Sequence, residues 1–124
     1  YVVENDVIFL DKDFIAGAST EGFGLGKTLT HLLGTYLGLG EMWDCKDDGI
    51  PDTPLMSAQH FEQTGGWSSC YSYVMNTMPQ NFMYNTEDIY MNMFTPGQKI
   101  FMLHALSFRR NHLVRPNYCQ TINP

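Results

Sequence analysis

The sequence is short of positive charge, of cysteine and of long apolar runs, and each shortage excludes something. Seven Lys and Arg face thirteen Asp and Glu across 124 residues, leaving a net charge of −6. A surface for nucleic acid or anionic lipid needs the opposite sign, so neither is expected as a partner. The basic residues are scattered, apart from Arg109-Arg110. No apolar stretch approaches the roughly 20 residues of a membrane-spanning helix, and no direct membrane insertion is expected of this chain. Cys45, Cys70 and Cys119, without C-x-x-C spacing, are too few for a cysteine-stapled miniprotein. They allow at most one internal disulfide. Internal repeats and low-complexity tracts are absent. What is there is a 44% hydrophobic composition, enough for a packed core and against disorder.

Along the chain, Val7-Ile8-Phe9-Leu10 is a short apolar run between charges and predicts a strand. Residues 16–26 are small and glycine-rich and read as loop. From Lys27 onward, Leu29, Leu32, Leu33, Tyr36 and Leu37 fall at helical spacing, and Gly38 and Gly40 stop the pattern; a helix over 27–39 follows. Residues 40–94 carry Gly, Pro, Asp and Ser throughout. An irregular stretch this long in a compact domain is functional or is held by cross-links or ions. Thr95-Pro96-Gly97-Gln98 offers a capping Thr, a Pro at the first helical position and a Gln at the third. The helix it starts runs over 95–110, to a basic end that suits its dipole. Residues 111–124 read as an irregular tail. Met78, Met83, Met91 and Met93 read as adaptable fillers of an irregular core.

Two short motifs fail on spacing. Gly22-Phe23-Gly24-Leu25-Gly26-Lys27-Thr28 has the look of a phosphate-binding loop, but such a loop needs Gly where Glu21 stands. Asp44-Cys45-Lys46-Asp47-Asp48-Gly49 echoes an EF-hand loop, with Lys46 at a ligand position and Leu55 where the closing Glu belongs. A third motif goes further. The stretch from Thr30 to Glu41 follows the frame of a zinc-protease helix, H-E-x-x-H-x-x-G-x-x-H. There, two histidines at i and i+4 share one helix face and hold the metal, and the adjoining Glu activates water. His31 and the turning Gly38 remain. Leu32 occupies the base position, Thr35 the second ligand position and Glu41 the third.

Three further pieces follow in order: Gly49-Ile50-Pro51-Asp52-Thr53-Pro54, then Asn81-Phe82-Met83, then Met91-Asn92-Met93-Phe94-Thr95-Pro96-Gly97-Gln98. With the helix motif, the set resembles the pappalysin family of metzincin metalloproteases, relatives of pregnancy-associated plasma protein A. The resemblance spans Val7 to Leu106. It implies an α+β, metzincin-like fold, with an upper sheet leading into the active helix and an irregular lower subdomain holding a Met-turn and a C-terminal helix. On that frame, residues 1–26 are the end of the upper sheet and a loop, and 27–39 the former active-site helix. Residues 40–94 are the lower subdomain with its Met-turn, 95–110 the C-terminal helix and 111–124 a tail. One or a few strands of the upper sheet have room here, so a single, N-terminally incomplete domain is expected.

The resemblance also implies lost chemistry. Thr35 is a poor zinc ligand and Glu41 supplies one carboxylate, so two ligands at best stand where catalytic zinc takes three. Leu32 removes the general base, and Asn85 stands where the family has its transition-state tyrosine. Met83 keeps the Met-turn. The expectation is therefore a catalytically inactive homologue, a pseudoenzyme serving as a binding or scaffolding module. It has no catalytic residues and no zinc at the vestigial positions His31, Thr35 and Glu41. The alternative is an active zinc endopeptidase with a non-standard site, using His31, Glu41 and a group outside the motif. On the residues alone, His31 reads as an interior histidine and Thr35 as bonded back to a helix carbonyl. Glu41 is either a solvated loop acid or the partner of His31.

The family pattern further implies a Cys45–Cys70 disulfide, with Cys119 left over. A disulfide suits an oxidising compartment, so a secreted or cell-surface location is expected. In some relatives the segment matching Asp48, Asp52 and Thr53 holds calcium, and these oxygen donors suit a hard cation; an Asp-Gly turn before a Pro-ended loop explains them equally. A protein or peptide partner is expected, lying as an added strand in the old cleft. The incomplete sheet is expected to be completed by another chain or by a preceding segment.

Overall fold

The computed structural model describes residues 2–4, 6–17, 22–43, 45–56, 67–70, 73–84 and 86–114. Asn85 and Cys119 lie outside these. The chain opens with a hairpin, β1 (Val2–Glu4) against β2 (Val7–Phe9), antiparallel with Val2 opposite Phe9 and Glu4 opposite Val7. The predicted strand is therefore present, but with a partner strand whose residues carry no alternation of their own. Asp6 turns the hairpin in the left-handed region at φ 68°, a conformation Asp tolerates better than most residues.

Helix α1 (Lys27–Tyr36) follows. It ends at Tyr36, short of the expected 39, because the glycine ending takes up the residues after it. Gly38 sits at φ 90°, its amide donating to the Thr35 carbonyl, and the Leu39 amide reaches back to the Gly34 carbonyl at 3.0 Å. This is a Schellman ending, and it needs a residue without Cβ at the left-handed position. The start of α1 is unusual. Its N-cap, Gly26, has no side chain to offer. The fully buried Asp88 serves instead, Oδ2 accepting from the amides of Leu25 at 2.9 Å and Lys27 at 3.1 Å. A carboxylate there also complements the positive end of the helix dipole.

A second hairpin, β3 (Trp67–Cys70) with β4 (Tyr73–Asn76), lies in the stretch expected to be irregular. Helix α2 (Pro96–Phe108) begins as its sequence predicts. Thr95 accepts from the Gln98 amide and Gln98 answers on the Thr95 amide, a complete capping box. Arg110, just past α2, ties three pieces together. Its Nε donates to the Tyr36 carbonyl at 2.9 Å, its guanidinium lies 3.6 Å from the centre of the Tyr36 ring, and it pairs with Asp6 of the first hairpin.

The core belongs to the lower half. Leu39, Met42, Ile50, Met56, Met83 and Tyr84 pack together, with Met78, Phe94 and Met102 against them. Few of these come from regular elements. Unbranched methionines suit such a core, because they fill gaps that rigid side chains leave. Backbone bonds and a cross-link supply the order that sheets supply elsewhere. The Cys45 amide donates to the Met56 carbonyl at 2.7 Å, and Cys45 is disulfide-bonded to Cys70, as the family pattern implied.

Candidate active site

His31 lies one turn into α1 and is 5% exposed. Its Nδ1 is 2.7 Å from the Phe82 carbonyl. A carbonyl oxygen only accepts, so Nδ1 carries a proton, and Nε2 is turned toward Glu41 Oε1 at 3.4 Å. The expected alternatives for Glu41 resolve to the second: it is the partner of His31. Trp43 stacks parallel to the imidazole, ring centres 6.2 Å apart.

The lower half sets this geometry through one turn. Asn81 Oδ1 accepts from the Met83 amide at 2.9 Å, and the Asn81 carbonyl accepts from the Tyr84 amide at 3.0 Å. The turn so closed presents two successive carbonyls. Phe82 O receives His31 Nδ1, and Met83 O receives the amide of Met42 at 3.3 Å. Met42 is the neighbour of Glu41. The imidazole and the carboxylate are therefore each tied to adjacent atoms of the same turn. Met83 is fully buried and lies against α1 at Gly34, where a Cβ would stand 2.5 Å from its sulfur. Gly34 is what lets the thioether approach the helix.

Burial alone lowers the His31 pKa, but the Glu41 hydrogen bond, the Glu41 charge and the Phe82 carbonyl outweigh it, and the net shift is upward. Glu41 is only half satisfied. Its side chain is 40% exposed as a whole, yet Oε2 is buried and has no hydrogen-bond partner.

The other predicted positions separate. Thr35 Oγ1 bonds back to the His31 carbonyl at 3.4 Å, the helix-interior habit of threonine. Leu32 is buried. Asp48 and Thr53 meet, Thr53 Oγ1 donating to Asp48 Oδ1 at 2.7 Å, and Asp48 Oδ1 also accepts from the Ile50 amide. Asp52 faces away from them, to the start of α2, accepting from Thr95 Oγ1 at 2.7 Å and the Gly97 amide at 2.8 Å. These bonds, that from Thr95 first, hold its carboxyl below the usual range. Among the described residues no cluster of three or more His, Cys, Asp or Glu is poised for a metal ion.

A helix with a tethered imidazole, a carboxylate on it and a methionine turn beneath is the frame of a metalloprotease centre. The family model described as pregnancy-associated plasma protein-A matches residues 7–107. The chain belongs to this family. An extracellular metalloprotease of Arthroderma benhamiae is 35% identical over 89 residues, 68% of this chain and 32% of that protein. One of Arthroderma otae is 33% identical over 104 residues, 79% of this chain and 38% of that protein. Among solved structures, Tannerella forsythia mature mirolysin in complex with a cleaved peptide superposes with a TM-score of 0.69 at 26% identity, covering 87% of this chain and 44% of that one. The chain thus spans about a third of the length of the curated relatives it matches. The expected fold, a partial α+β metzincin-like domain, is borne out.

Two expectations are corrected. The chain was expected not to be an enzyme, and no zinc was expected in it. Its relatives are extracellular metalloproteases, and its structural neighbour holds a cleaved peptide. The expectations erred by weighing donors one position at a time. The motif changes at 32 and 35 leave the His31–Glu41 pairing intact, because backbone carbonyls of the turn, invisible in a side-chain pattern, hold it. The Phe82 carbonyl and the Trp43 ring had no signal in the sequence beyond their neighbours' place in the family pattern.

Proposed function

We propose that this chain carries the metal-binding part of a secreted endopeptidase with a non-standard centre. The observation behind the reading is the half-satisfied Glu41 beside a His31 whose proton is fixed on Nδ1. A backbone carbonyl on one ring nitrogen is how metal-ligating histidines are oriented, leaving the other nitrogen to the metal. A buried oxygen without a partner is a donor in search of a cation. His31 Nε2 and Glu41 would hold the ion together with a third group from outside the motif, since catalytic zinc takes three nitrogen, oxygen or sulfur donors from protein. Bound there, zinc would polarise a peptide carbonyl and lower the pKa of a water. Burial and the Trp43 ring shield the imidazole, while the Glu41 side chain stays 40% exposed toward solvent.

Metal analysis of the zinc-equilibrated chain, with peptide cleavage before and after chelation, tests this. One bound zinc and chelator-sensitive cleavage are expected. Glu41→Gln should weaken zinc retention and lower cleavage with it, because it removes a carboxylate ligand. A chain that retains no zinc, or cleavage indifferent to Glu41→Gln, overturns the reading.

The same reading includes a covering sheet. Leu29 and Leu33 form an exposed stripe on α1, Leu25 in the turn before the helix is exposed, and Val7 and Phe9 of β2 are exposed as well. A two-strand hairpin is marginal alone. Further strands, from another chain or a preceding segment, would extend β1–β2, cover the stripe and leave an edge on which an extended peptide can add. An extracellular location agrees with the relatives' names and with the Cys45–Cys70 bridge.

A further inference from the structure

Asn81 and Gln98 are both fully buried. Their amides pair reciprocally, Asn81 Nδ2 donating to Gln98 Oε1 at 2.8 Å and Gln98 Nε2 donating to Asn81 Oδ1 at 3.1 Å. Each amide has a second duty. Gln98 Oε1 also accepts the Thr95 amide, which starts α2. Asn81 Oδ1 also accepts the Met83 amide, which closes the turn. The leftover donor capacity goes to sulfur: Gln98 Nε2 lies 3.4 Å from Met42 Sδ, and Asn81 Nδ2 lies 3.5 Å from Met78 Sδ. A primary amide offers two donors and one acceptor group, and here both are used in full.

The pair therefore locks the first turn of α2 to the turn that carries Phe82 O and Met83 O. Those two carbonyls receive His31 and the neighbour of Glu41. We propose that Asn81 and Gln98 are positioning residues: they set the distance between the His31 imidazole and the Glu41 carboxylate without touching either. Methionine, which has Gln's length but no hydrogen-bonding amide, would still fill the space at 98. It would take away both bonds that tie the Asn81 amide to α2, leaving those to the Met83 amide and Met78 Sδ, and let the turn shift relative to α2. The proposal rests on the proposed metal centre for its consequence, but its structural content is independent of any metal.

The test is Gln98→Met beside Thr95→Ala. The second variant weakens the same helix start but leaves the amide pair intact, so it controls for simple loosening of α2. In the metal-free chain, nitrogen NMR of the imidazole reports whether Nδ1 keeps its proton. Zinc titration reports the affinity. Gln98→Met is expected to mix the His31 tautomers and to weaken zinc about tenfold, the lower end of what outer partners of a metal ligand contribute. Thr95→Ala is expected to change neither. A Gln98→Met chain with an unaltered Nδ1 proton overturns the proposal, as does an equal effect of Thr95→Ala. If the unaltered chain takes no zinc, the proposed function fails, while the NMR arm still decides the positioning role. Should Gln98→Met not fold, hydrogen exchange in the unaltered chain decides instead. The amides of Met42 and Met83 are expected to open together with the Asn81 side-chain amide. An Asn81 amide that opens freely while those two stay protected overturns the lock.

Discussion

At the scale of single residues, the His31–Glu41 pair makes stability depend on pH, and the proposed metal binding would depend on it in the opposite sense. The His31 pKa is raised in the folded chain. Its contribution is therefore complete below the unfolded value of about 6.5 and is lost as pH rises through the folded value. Urea unfolding between pH 6 and pH 9 should show the unaltered chain losing its advantage over Glu41→Gln on the alkaline side. Zinc competes with the proton on Nε2, so its affinity should rise over the same span. Asp52 behaves oppositely. Its lowered pKa adds stability above the unfolded value of about 3.8, lost as pH falls through the folded value. Asp52→Asn should remove that acid-side dependence in the same measurement.

At the scale of elements, the two helices show what local sequence can and cannot announce. The start of α2 was legible because everything it needs lies between Thr95 and Gln98. Thr95→Ala should cost about 1 kcal/mol, the usual worth of such a cap, read as a shifted denaturation midpoint. The end of α1 was legible for the same reason, through Gly38. Its beginning was not, because the cap comes from Asp88, far along the chain. The β3–β4 hairpin was missed because neither strand has a clear period. The calcium set of Asp48, Asp52 and Thr53 looked like one site in sequence, but only Asp48 and Thr53 meet, and Asp52 went to the start of α2. Contact between α1 and the Met-turn was not readable either. Gly34 looks like a mild defect in a helix, yet a Cβ there meets the Met83 sulfur at 2.5 Å. Gly34→Ala should destabilise by about 1–3 kcal/mol, the cost of overpacking, despite the better helix propensity of alanine.

At the scale of the whole molecule, order in the lower half comes from a cross-link and scattered backbone bonds more than from sheets. The Cys45–Cys70 bridge closes a sequence separation of 25, worth about 3 kcal/mol on the loop-entropy account. Replacing both cysteines by serine should lower stability by that order in a denaturant titration, and weaken zinc binding too, since Cys45 follows Glu41 closely. The family resemblance, rather than composition, made that bridge legible. The buried cap on α1 reaches further still. A ten-residue helix is too short to persist by itself in water, and this one lacks a cap of its own. Its first turn is finished only when Asp88 arrives from the other side of the molecule. During synthesis, then, the segment bearing the imidazole waits for Asp88 to emerge some sixty residues later, and the surroundings of His31 assemble late.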